Sequence, residues 1–82
     1  MDSSIKAWDE IDQRLKELVE FHKNQLLKCG CRIIPHLTSE DILQPNDFQE
    51  LEFNPHFRYE EGLLAGVQTA QMALQALRKE CE

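Results

Sequence analysis

Apolar residues recur at steps of three and four along the first third of the chain: Ile5, Trp8, Ile11, Leu15, Leu18, Val19, Leu26 and Cys29. That spacing follows the turn of an α-helix and predicts one amphipathic helix over about residues 3–29. Ser3 and Ser4 can cap its start. Asp9, Glu10 and Asp12 lie in its first half and Lys23 and Lys28 near its end, an order that suits the helix dipole. Gly30, directly after Cys29, predicts a left-handed C′ stop. The periodicity returns in Phe57, Leu63, Leu64, Val67, Ala70, Leu74 and Leu77 and predicts a second helix over about residues 55–80. Asn54-Pro55 places a capping side chain before a proline at the first helical position. Arg78 and Lys79 fall in the last turns.

The connection, about residues 30–54, fits neither pattern. It is far longer than the roughly 2–8 residues that usually join two helices, so it is either functional or disordered. Its aromatic and apolar content, with Phe48, Leu51 and Phe53 running into Phe57 and Tyr59, argues for order. Thr38 with Asp41 three residues later predicts a capped turn carrying Ile42 and Leu43, stopped by Pro45. Asn46-Asp47 predicts a second capped turn carrying Phe48 and Leu51. Cys31–Pro35 is expected to be extended. Nothing alternates as a strand should beyond Arg32-Ile33-Ile34, which is too short to found a sheet.

Eighty-two residues make one small domain, and a chain this short buries only about 60% of its unfolded surface. A further subunit, a metal or a disulfide is therefore a reasonable expectation. No stretch approaches the roughly 20 apolar residues of a membrane span. Met-Asp-Ser-Ser-Ile-Lys lacks the basic run and apolar core of a secretory leader, so a cytoplasmic location is expected. The net charge of −6 is concentrated between Glu40 and Glu61, where Arg58 is the only Lys or Arg. Such a field repels phosphate backbones and points away from nucleic acid, toward protein surfaces or cations.

Four residues could ligate a soft metal: His22, Cys29, Cys31 and His36. Zinc accepts four such donors tetrahedrally. His22 and Cys29 stand two helical turns apart, however, about 10 Å along the axis, which is too far for one ion to bridge easily. The paired Cys-x-x-Cys spacing is also missing. No Glu-x-x-His, His-Glu-x-x-His, phosphate-binding glycine loop or nucleophile elbow is present, and no enzymatic activity is expected.

Two further groups invite an interaction reading. Phe48, Phe53, Phe57, Arg58 and Tyr59 are the aromatic and arginine types that protein interfaces select, set among carboxylates. Arg58 has Glu61, Asp47 and Glu50 as candidate ion-pair partners. Gly62, Gly66, Ala70 and Ala73 form a row of small residues along the second helix, a candidate dimer seam because small side chains let another helix approach closely. The competing uses are closure of the chain's own core by the aromatics and packing of the small row on the first helix.

The expected fold is all-α: two long helices and an ordered connection with short helical turns, pairing as a dimeric four-helix bundle because two helices alone leave an apolar stripe uncovered. The expected function is a small protein–protein interaction module (adaptor, regulator or chaperone-like subunit), with no cofactor. The alternative is a zinc-binding or redox protein using the Cys29–His36 cluster.

Overall fold

The computed structural model describes residues 2–81, apart from the side chain of Asp2. Two long helices, α1 (Asp2–Ile33) and α3 (Pro55–Cys81), run antiparallel as a hairpin 50 Å long and 18 Å across. Between them lie two 3₁₀ turns, Asp41–Leu43 and Pro45–Asp47, and a one-turn helix, α2 (Gln49–Glu52). The described residues contain no strand. The all-α expectation, with two long helices and short helical turns between them, is what the chain adopts.

α1 does not stop at Gly30. No described glycine has a positive φ, and the helix continues to Ile33, through the segment expected to be extended. The stop comes from Pro35, which disfavours helical geometry at Ile34. Gly30 is absent of side chain for a packing reason. A Cβ built there would sit 2.5 Å from Cδ2 of Leu37 and 3.4 Å from Cε1 of Phe57. The connection folds back against α1 at this point, and any larger residue would have to displace the Leu37 side chain.

The local signals in the connection act partly as expected. Thr38 and Asp41 satisfy each other: the Thr38 N–H donates to Asp41 Oδ2 at 3.0 Å, and the Asp41 N–H donates to Thr38 Oγ1 at 3.3 Å. Asn46-Asp47 does not cap a turn. These residues lie inside the second 3₁₀ turn, and Phe48 stands at the N-cap of α2 without a side-chain cap. At the start of α3, the Phe57 N–H donates to Asn54 Oδ1 at 3.0 Å, as the Asn-Pro pair implies.

The core gathers at the closed end of the hairpin. Leu26 and Cys29 from α1, Ile34, Leu37, Ile42 and Leu51 from the connection, and Phe57 and Leu64 from α3 form one buried cluster, with Val19 at its edge. Leu51 and Phe57 are fully buried. Toward the open end the packing thins, and a polar clamp takes over. Arg78 spans from α3 to α1, with Nη1 donating to Asp12 Oδ2 at 2.5 Å and Nη2 to Asp9 Oδ1 at 3.0 Å. A two-armed guanidinium fixes both distance and register between the helices.

Candidate interaction surface

The residues of α1 that face α3 recur in a heptad: Trp8, Asp12, Leu15, Val19, His22, Leu26, Cys29 and Ile33. The matching row on α3 is Phe57, Glu60, Leu64, Val67, Gln71, Leu74 and Arg78. All are buried or half-buried. Two rows three and four residues apart in turn are what antiparallel helix packing requires. The seam leaves two sides, and they differ in character.

One side is polar. It carries Asp9, Lys16, Glu20 and Lys23 of α1 and Glu61, Gln68 and Gln75 of α3. A shallow groove of about 490 Å³ opens there beside the connection, floored by Leu26, Leu27, Ile42 and Leu64. The other side is apolar. Ile11 (38% exposed), Leu18 (45%) and Phe21 (53%) stand along α1, and Leu63 (37%) and Leu77 (44%) along α3. Half-buried Trp8, Val67 and Leu74 lie between them at the seam. Scattered surface leucines are normal, but a continuous apolar strip along a hairpin is not.

The small-residue row lies on the outer surface of α3. Gly62, Gly66, Ala70 and Ala73 are all exposed, and a Cβ at either glycine would meet nothing within 4 Å. None of the four packs on α1. Gly66, Ala70 and Ala73 border the apolar side, whereas Gly62 points away from both helices' seam.

The five aromatic and arginine candidates divide sharply. Phe57 is fully buried, so it closes the core and presents nothing to a partner. Phe48 is half-buried against that core. Arg58 is already engaged on three arms: Nε donates to Glu52 O at 2.8 Å, Nη1 to Glu61 Oε1 at 2.6 Å, and Nη2 to Asn46 Oδ1 at 3.3 Å. It braces α2 and the second 3₁₀ turn against α3. Of the acids considered for it, Glu61 is the partner, and Asp47 and Glu50 are not ion-paired with it. Phe53 and Tyr59 alone are well exposed.

The four potential metal ligands do not converge. Among the described residues no three His, Cys, Asp or Glu side chains are grouped so as to hold an ion. Cys29 is in the core, and the Cys31 thiol donates to Leu37 O at 3.4 Å. His36 is exposed. His22 lies in the seam with its ring edge-on to Phe21 at 5.2 Å, and its Nδ1 is buried without a partner among the described residues. Burial pushes the Cys29 thiol above its ordinary pKa, the Glu60 carboxylate adds to this, and Arg32 partly opposes it. A thiol held neutral and covered is a poor nucleophile. Alkylation of the folded protein is therefore expected at exposed Cys81 first, at Cys31 more slowly, and at Cys29 only in denaturant. Peptide mapping after a timed iodoacetamide pulse checks this order; native labelling of Cys29 as fast as Cys81 would mean that the connection is not docked.

Two helices alone were expected to leave an apolar stripe uncovered, and Ile11, Leu18, Leu63 and Leu77 of the periodic rows are exposed in this way. Phe21 was missed altogether. Phe21 widens the apolar face of α1 beyond what one partner helix can cover. Among the described residues no helix is long and apolar enough to cross a membrane. Compared with known proteins, the chain matches no family model, no curated protein and no solved structure.

Proposed function

We propose that this protein is a protein–protein interaction module built on a self-paired helical hairpin, the two copies closing a four-helix bundle over their apolar sides. The observation that carries this reading is the unpartnered apolar strip of Ile11, Leu18, Phe21, Leu63 and Leu77. Surface area supports it. A folded monomer of 9.6 kDa exposes about 5,100 Å² by the usual scaling, and this chain exposes 6079 Å², roughly 1,000 Å² more. One side of a 50 × 18 Å hairpin offers roughly 900 Å², against about 800 Å² that each partner buries in a standard interface.

In the paired molecule the polar sides and the connection face outward. The connection there exposes the acids Glu40, Asp47 and Glu50 and the ring of Phe53, residue types suited to a second protein in an adaptor or regulatory role.

Native mass spectrometry and sedimentation at tens of micromolar test the pairing. The expected result is a species of twice the chain mass, reduced to single chains by Leu18→Glu, which places a charge in the strip. Gln75→Glu, on the polar side, serves as the control and leaves the assembly intact. A wild-type protein that remains single-chain while fully helical would overturn the reading.

A further inference from the structure

Resting on that self-paired reading, we infer that the second copy lies with its α3 along α1 of the first, related by a two-fold axis parallel to the helices, so that Phe21 of each copy seats on Gly66 of the other. Register, shape and charge each bear on this arrangement independently.

Register comes from contacts within one chain. Gly30 lies level with Phe57, and Asp9 and Asp12 lie level with Arg78. Counting inward from either end puts Phe21 level with Gly66, Arg14 with Ala73, and Lys28 with Tyr59. A two-fold axis along the helices preserves height, so the same pairs meet between copies. Each contact then occurs twice, as an isologous interface demands.

Shape follows from the positions that border the strip. On α1 these are Arg14, Phe21 and Lys28, all long; the level positions on α3 are Ala73 and Gly66, both small, and Tyr59, which is large. Phe21 is 53% exposed in the single chain, and a Cβ at Gly66 would touch nothing within 4 Å. A large exposed ring in one copy thus faces open space over backbone in the other. Gly66 in a helix interior costs about 1 kcal/mol relative to alanine, and its own chain offers no contact that accounts for it.

Charge separates this arrangement from its rival. Along the apolar side, α1 carries Arg14 (paired with Glu17 of its own helix), Lys28 and Arg32, whereas α3 carries Glu80 and no Lys or Arg. Packing α1 on α1 would gather Arg14, Lys28 and Arg32 of both copies on one shared surface. Packing α1 on α3 of the second copy keeps these cations apart, and like-charge juxtaposition suppresses the wrong pairing. A perpendicular two-fold axis, which sets α1 against α1, is disfavoured on this ground.

A knob-and-hole exchange tests the register. Gly66→Leu alone should fill the space that Phe21 needs and weaken the dimer at least tenfold, read as the dissociation constant by sedimentation. Phe21→Ala alone should leave a hole and weaken it by a similar factor. The two together should recover most of the loss, because leucine then fills the place of the ring. Far-UV circular dichroism confirms that each variant stays helical, and Gly62→Leu, one turn away and off the strip, controls for bulk on α3. A wild-type dimer in which the single changes act but their effects simply add would overturn the Phe21–Gly66 contact while leaving self-pairing intact. A wild-type dimer indifferent to all three variants would overturn the whole register. A wild-type monomer would instead remove the reading beneath it.

Discussion

Phe57→Ala is expected to unfold most of the protein at room temperature, or to leave it on the edge of its transition. Removing a fully buried phenylalanine costs about 3–5 kcal/mol. Domains hold roughly 0.05–0.15 kcal/mol of stability per residue, so a chain of this length has on the order of 4–12 kcal/mol in all. The ring lies where α1, the connection and α3 meet, beside Leu51, Leu37 and Ile42. Loss of the ring should therefore release the connection as well as the hairpin. Tyr59→Ala, two residues on but 66% exposed, is the comparison and should change stability by no more than about 0.5 kcal/mol. Urea unfolding followed by circular dichroism, at fixed protein concentration, measures both. Equal and small effects would show that Phe57 is not the keystone of the core.

The second large effect is a difference in sign between two identical substitutions. Gly62→Ala should stabilise the protein by up to about 1 kcal/mol, since alanine is the better helix former and the site is open. Gly30→Ala receives the same propensity gain, but its methyl would stand 2.5 Å from a side chain packed in the core. Overpacking of that kind costs about 1–3 kcal/mol. Overpacking wins, and Gly30→Ala should be neutral to destabilising by about 2 kcal/mol, with Gly30→Val worse. Denaturant midpoints at one protein concentration give the comparison, because a self-associating protein changes apparent stability with concentration. If Gly30→Ala raised the midpoint as much as Gly62→Ala does, Leu37 would have to be free to move away, and the docking of the connection on α1 would be looser than the structure shows.

Gly30 also illustrates why a local rule failed. A glycine after a run of helical periodicity normally ends the helix through a left-handed residue, and nothing nearby in sequence says otherwise. What decided the matter was Leu37, seven residues on, which returns to occupy the space over Gly30. The helix then ran on to the next available stop, Pro35. Asn54-Pro55 and Thr38-Asp41 succeeded as signals because every partner they need lies within three residues.

The aromatic candidates divided for the same reason. Phe57 and Tyr59 are two residues apart on one helix, which places them on different faces, and periodicity cannot say which face the connection will cover. The chain also holds Arg58 between them, and its three internal hydrogen bonds make it a brace for the folded connection. Sequence offered that arginine as a binding residue because an arginine among acids looks the same whether the acids belong to its own chain or to another.

By itself the sequence determined the elements whose causes are local: two amphipathic helices, their approximate extents, the capped starts near Thr38 and Asn54, and a connection too apolar to be disordered. Tertiary structure decided which of two apolar rows on each helix became the seam and which stayed open. That choice depends on the antiparallel register, set by the Arg78 clamp at one end and by Phe57 under the connection at the other. Both are contacts between residues far apart in the chain, and helical periodicity records only neighbours within a turn or two.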